Sequence, residues 1–346
     1  MTHPIAGAHS PPARPGEDAL LEGLTPEQAQ AVCHGPGPLL LVAGPGAGKT
    51  KTLIHRIARL LATGAAQPWE ILAVTFSVRA AGELRLRLAD LLGEQVARAV
   101  TAATFHSICA RMLREHASVF GRSESYTVYD QADVRRVIEW LLSDQQRGQI
   151  QQALADYGQP AAAEVLAEIS LAKNRLLSPE LYEQAARHTA APLIAVVWRE
   201  AELELQRSNS WDFDDLLVYA VRLLAEHPHR LAFYRQRWRW LLVDEYQDTN
   251  EAQSTLIALL AGAGGNVCCV GDDDQLLYSF RAAEHARVRG AVPRSRADRA
   301  RPQLPQPRRD PRRRRRVRHK QRAAPTEGAD RDARGRRDRA RDRVQL

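Results

Sequence analysis

Lys49 and Thr50 follow three glycines spaced two apart, Gly44, Gly46 and Gly48. Glycines at this spacing leave backbone N–H groups free to close around phosphate oxygens. A lysine at the end of such a loop reaches the terminal phosphates, and the neighbouring threonine hydroxyl ligates Mg²⁺. The nucleotide-binding candidates are Ala43, Gly44, Pro45, Gly46, Ala47, Gly48, Lys49, Thr50 and Lys51. Ala43 stands where the usual pattern begins with glycine, a small-for-small exchange. Two adjacent acids, Asp244 and Glu245, close the apolar run Leu241-Leu242-Val243. A carboxylate there can hold Mg²⁺ through water, and the next can orient or deprotonate the attacking water. We assign Asp244 to the metal and Glu245 to the base. Gln275, beyond the apolar run ending at Val270, offers an amide to a γ-phosphate. Either feature alone could be a glycine-rich turn or a solvated strand end. Together they describe one site for a nucleoside triphosphate.

That chemistry needs a strand, a tight loop and a helix in succession. Leu39-Leu40-Leu41-Val42 reads as a buried strand, and Leu53, Ile54, Ile57, Leu60 and Leu61 fall on one helical face. Ile71–Phe76, Ala99–His106, Trp240–Val243 and Asn266–Val270 repeat the short apolar pattern. Strands of this kind separated by helices predict an α/β fold with a parallel sheet covered on both faces. Ligands collect at the carboxyl ends of such strands, where every motif here falls. Thr25 followed by Pro26 and Gln28 predicts a capped helix. Gln28 is either the reciprocal partner in that cap or a hydrogen-bonding partner for adenine. From 108 to 207 the periodicity is helical throughout, which predicts an all-helical insertion. Residues 1–22, rich in Pro, Gly and Ala, read as a disordered leader.

The net charge of +8 is misleading, because residues 282–346 hold 23 Lys and Arg against 8 Asp and Glu. The remainder is acidic, so net charge gives no argument for nucleic acid in the folded body. Cys33, Cys109, Cys268 and Cys269 lack metal-ligand spacing, and the adjacent pair reads as small core residues in a reducing compartment. No signal peptide is visible and no apolar run reaches the ~20 residues of a membrane span. A soluble, cytoplasmic protein is expected.

The motifs together resemble the UvrD/Rep/PcrA group of superfamily 1 DNA helicases over about residues 22–283. Leu24-Thr25-Pro26-Glu27-Gln28 is similar to the family's Q motif, which would make Gln28 the adenine reader. Residues 43–50 resemble motif I. Thr75-Phe76-Ser77-Val78-Arg79 resembles motif Ia, with Val78 in place of the usual Asn and the cation kept at Arg79. Thr104-Phe105-His106 resembles motif Ib, another DNA-facing loop. Asp244-Glu245-Tyr246-Gln247-Asp248 matches motif II. Gly271–Gln275 with Tyr278, Phe280 and Arg281 resembles motif III, with Phe280 at the usual Trp. The resemblance implies ATP and Mg²⁺ as cofactors, and single-stranded DNA and its junctions with duplex as partners. It implies 3′→5′ translocation driven by ATP hydrolysis, with DNA contacts at Thr75, Phe76, Arg79, Thr104, Phe105, His106, Tyr278, Phe280 and Arg281. It also implies a RecA-like core from 23–107 and 208–283, interrupted by the insertion at 108–207. The alternatives are a non-catalytic ATP- and DNA-binding fragment, or the motor part of a helicase–nuclease subunit.

Beyond about Ala283 the resemblance stops. Residues 284–346 contain no Phe, Trp, Tyr or Ile and carry the run Arg312–Arg316 among Pro, Ala and Asp. Such a segment is expected to be disordered, either a basic DNA-binding arm or an out-of-frame translation. Pro302-Gln303-Leu304-Pro305-Gln306-Pro307 can be encoded CCG-CAA-CTA-CCG-CAG-CCG. Read one base later, those codons give Arg-Asn-Tyr-Arg-Ser, which contains the family's next motif. A frameshift near 285–300 is therefore expected. Without the second core and its arginine, this chain is expected to bind Mg-ATP weakly, hydrolyse it poorly and not unwind DNA.

Overall fold

The computed structural model describes residue 16 and residues 18–44, 46–272 and 342–345. In chain order come α1 (Pro26–Cys33), β1 (Leu39–Val42), α2 (Lys49–Ala62), β2 (Ile71–Thr75), α3 (Val78–Leu92), α4 (Glu94–Ala99) and β3 (Thr101–Thr104). Next are α5 (Phe105–His116), β4 (Thr127–Tyr129), α6 (Gln131–Ser143), α7 (Gly148–Tyr157), α8 (Ala162–Asn174), α9 (Pro179–Ala185) and α10 (Ala191–Arg207). The chain continues through β5 (Ser210–Asp212), α11 (Phe213–Glu226), α12 (Pro228–Arg237), β6 (Trp240–Val243), α13 (Glu251–Ala261), β7 (Asn266–Gly271) and β8 (Asp342–Gln345).

The main sheet runs β3-β2-β6-β7-β1-β8 and is parallel throughout. Successive strand residues point to opposite faces, and the packing obeys that alternation. Leu39, Leu41, Ile71, Ala73, Trp240, Leu242, Cys268 and Val270 face a core made with α2 and α3. Leu40, Val42, Leu72, Val74, Leu241, Val243, Val267 and Cys269 face a second core made with α5, α11 and α13. Adjacent Cys268 and Cys269 thus serve opposite faces, both buried with free thiols. Because these strands are parallel, the loops after β1, β2, β6 and β7 leave the sheet at one edge.

Three boundaries differ from the sequence reading. The helical stretch beginning at 108 is first a core element, because Ile108, Cys109, Met112 and Leu113 of α5 pack on the sheet. A separate core appears only between Val134 and Ala201, from α6, α7, α8, α9 and α10. The chain leaves and re-enters through a parallel pair in which Thr127 faces Ser210 and Tyr129 faces Asp212. The short strand β4 carries too few residues to stand out from its helical surroundings. At the other end, Leu20 lies within the expected leader yet is 1% exposed. Its carbonyl lies 2.7 Å from His55 Nδ1, which ties it to α2. In the tail expected to be disordered, Asp342–Gln345 instead pairs with β1, Leu39 against Asp342. Among the described residues no helix is long and apolar enough to cross a membrane.

Candidate nucleotide and DNA site

The phosphate loop is held from both sides. Ala43 donates its N–H to Gly271 O at 3.0 Å, fastening the end of β1 to the end of β7. Gly46 and Gly48 take φ of +80° and +79°, a left-handed backbone that only glycine adopts freely. Gly48 has a second constraint, since a Cβ there would lie 2.7 Å from Gln28 Nε2. Gln28 makes the reciprocal cap: its Oε1 accepts Thr25 N–H at 3.0 Å, and its N–H reaches Thr25 Oγ1 at 3.3 Å. Its amide nitrogen also donates to Ala47 O at 2.8 Å. Gln28 therefore couples the start of α1 to the loop. Pro45 lies outside the described residues.

Lys49 opens α2, with its side chain only 10% exposed. Its ammonium pairs with Asp272, directly after β7, and lies 3.6 Å from Glu245 Oε2. Thr50 Oγ1 donates to Asp244 Oδ2 at 3.3 Å. Lys51 turns elsewhere: its Nζ bonds Gly23 O at 2.6 Å. Two residues along a helix is about 200° of rotation, so Lys51 cannot share the direction of Lys49.

Asp244 directly follows β6, its N–H bonded to Val74 O at 3.0 Å. Burial first, and the charge of Glu245 next, hold its carboxyl above the usual carboxylate range, against opposing contacts from Glu245 N–H, Thr50 and Lys49. A buried carboxylate beside a second one is a place for a cation, and the facing Thr50 hydroxyl supplies a further oxygen. Oxygen donors of this kind suit Mg²⁺. Glu245 stands at φ +49°, left-handed without being glycine; such strain persists where surrounding contacts enforce it. Gln247, given no role of its own in the sequence reading, links the Glu245 side chain to Asp272. Its Nε2 donates to Glu245 Oε2 at 2.7 Å, and its Oε1 accepts Asp272 N–H at 3.2 Å.

A cavity of about 300 Å³ has Thr50, Asp244 and Glu245 on one side and Thr75, Phe76 and Ser77 on another, joining the acid pair to the loop after β2. Of the expected DNA contacts, Phe76 is 45% exposed, and Arg79 is also exposed. Thr75 is buried, its hydroxyl on Ser77 O at 3.1 Å. Thr104 caps α5 through Ser107 N–H at 3.2 Å. Phe105 turns its ring into the core and meets Phe76 edge-on at 6.4 Å, as a buttress rather than a surface. The partly exposed His106 meets Phe213 edge-on at 5.7 Å. Burial lowers the His106 imidazole, with Asp214 opposing. Phe213 is half exposed and also went unread in the sequence; its signal is a large apolar residue directly after the helix cap Asp212. Gln275, Tyr278, Phe280 and Arg281 lie outside the described residues.

A strand–loop–helix phosphate cradle facing a strand-end acid pair on a parallel sheet defines a P-loop nucleotide-binding core. A match to the family described as UvrD/REP helicase N-terminal domain covers residues 24–291. The chain is 40% identical over 266 residues to the ATP-dependent DNA helicase PcrA of Leuconostoc citreum, covering 77% of this chain and 34% of the relative. It is 38% identical over 269 residues to the protein of that name from Bacillus subtilis (strain 168), covering 78% of this chain and 35% of the relative. The chain thus spans about a third of the length of these relatives. It belongs to the UvrD/REP helicase family, through that family's N-terminal domain.

Proposed function

We propose that this chain supplies the first nucleotide-binding core of an ATP-dependent DNA helicase that moves 3′→5′ on single-stranded DNA. The observation that carries the reading is the convergence of Lys49, Thr50, Asp244 and Glu245 from sequence positions about two hundred residues apart. Lys49 and the loop N–H groups would take the β- and γ-phosphates, and Gln28 sits where it can sense the loop from the adenine side. Thr50 and Asp244 are the residues to hold Mg²⁺, which when bound would offset charge on the phosphates. Glu245, with Gln247 fixing its carboxylate, would orient and deprotonate the attacking water.

On the same edge of the sheet, Phe76 and the pair His106–Phe213 offer rings to unstacked bases. Arg79 offers charge to the phosphodiester backbone. Residues 284–346 supply none of the family's later motifs, among them an arginine at the transferring phosphate. Such an arginine is worth on the order of 10³–10⁵ in rate in other NTPases. The purified 346-residue chain is therefore expected to hydrolyse ATP slowly and to leave a 3′-tailed duplex intact. Duplex unwinding by this chain that is lost in Lys49→Ala would overturn that half-site reading.

A further inference from the structure

Lys49, Glu245, Gln247 and Asp272 close a ring of contacts at the end of the sheet. Lys49 Nζ pairs with Asp272 Oδ1 and lies 3.6 Å from Glu245 Oε2. Glu245 Oε2 accepts Gln247 Nε2 at 2.7 Å, and Gln247 Oε1 accepts the Asp272 N–H at 3.2 Å. The lysine that the phosphates need is thus engaged by a carboxylate of the protein itself. We propose that Asp272 competes with the terminal phosphates of the nucleotide for Lys49, and that Gln247 passes its displacement on to Glu245.

The proposal rests on the nucleotide-site reading above and adds a role that reading leaves unassigned. Two carboxylates share one ammonium, and only Glu245 is needed there for chemistry. Lys49 is nearly buried, while the Asp272 side chain is 32% exposed although the Oδ1 that faces the ammonium is itself buried. A di- or triphosphate brings more charge to Lys49 than one carboxylate does and can win the exchange; a monophosphate is poorly matched to do so. Because Gln247 holds the backbone of Asp272 with one end of its amide and Glu245 with the other, movement at Asp272 reaches the base directly.

The test is fluorescence titration of the full chain with mant-ADP and mant-ATP at low salt, with Mg²⁺ present. Asp272→Asn removes the competing charge and keeps the shape, and is expected to tighten both nucleotides roughly three- to tenfold. Asp272→Glu keeps the charge and is expected to stay near the parent chain. In a Lys49→Ala background the gain from Asp272→Asn should disappear, since there is no ammonium left to release. The same gain in that background would mean relief of general repulsion and would overturn the proposal. Unchanged or weaker binding by a well-folded Asp272→Asn would overturn it too. If Asp272→Asn fails to fold, Asp272→Ser repeats the measurement; failure of both shows a structural residue, not a displaceable competitor. If no form, parent included, binds nucleotide in a Lys49-dependent way, the nucleotide-site reading itself falls and this proposal with it. Parent binding that depends on Lys49 but ignores Asp272 removes this proposal alone.

Discussion

Asp244 shows most directly how function is paid for in this site. Its buried carboxyl is held above its ordinary range by desolvation and by Glu245, a neighbour that folding fixes beside it. A raised carboxyl favours folding at low pH and disfavours it as pH climbs through the folded value. Asp244→Asn is therefore expected to raise Tm at neutral pH, while losing Mg-nucleotide binding. Thermal melts beside nucleotide titrations would check both halves; a destabilised variant contradicts the argument. At the proposed DNA face, Phe76→Ala should weaken binding of an oligo-dT by roughly 1–3 kcal/mol, measured by anisotropy, with nucleotide binding kept. That Lys49, Thr50, Asp244 and Glu245 come together could be expected from the sequence, because their residue types stand at a glycine-loop end and a strand end. Lys51 and Phe105 could not, because the helix phase at Lys51 and the core-facing start of α5 decide where those side chains go. Gln247 stands in the quoted Asp244–Asp248 run, but its link between Glu245 and Asp272 joins two strand ends and has no spacing in the sequence to reveal it.

Among the elements, α8 is docked by polar contacts rather than by its apolar stripe alone. Lys173, 3% exposed, reaches Asp212 at 2.6 Å and Asp215 at 2.7 Å. Ser170 Oγ donates to Asp214 Oδ2 at 2.6 Å, and Asn174 bonds both Asp214 and Asn250, the cap of α13. These contacts fix the turn that presents Phe213. Burial and then Asp212 push the Asp215 carboxyl up to about 7 against the pull of Lys173. Burial alone would lower the Lys173 ammonium, but Asp212 and Asp215 hold it well above its usual range. Lys173→Met leaves two buried carboxylates without a cation and is expected to cost about 3–5 kcal/mol. Asp215 must ionise as pH rises through about 7, so the loss should be larger at pH 8 than at pH 6. Denaturant melts at the two pH values check this, and an equal loss would refute the charge argument. The strands were legible because they are apolar on both faces, and most helices because each buries one face. The limits of the insertion were not, since α5 and the helices beyond it share a period and differ only in what they pack against.

For the whole molecule, the basic total charge belongs to 282–346 and not to the residues that build the site. The family match ends at 291, inside the window where a change of reading frame is expected. We propose that the coding DNA shifts frame there. Sequencing codons 280–346 should place Asn-Tyr-Arg-Ser in the alternative frame; stop codons in that frame would instead leave the arginine-rich reading as the genuine one. Fold class was accessible from sequence because parallel strands buried on both faces leave an unmistakable apolar rhythm. The pairing of Asp342–Gln345 with β1 was not, because a four-residue strand in an arginine-rich context has no rhythm to read.

The most direct test of the central claim is calorimetric titration of Mg-ATP into the full chain, beside Lys49→Ala. One site per chain, weakened at least tenfold by Lys49→Ala and lost without Mg²⁺, is the predicted result. Binding that ignores both Lys49 and Mg²⁺, or no binding by a folded parent chain, would contradict the assignment of Lys49, Thr50, Asp244 and Glu245 to one nucleotide site.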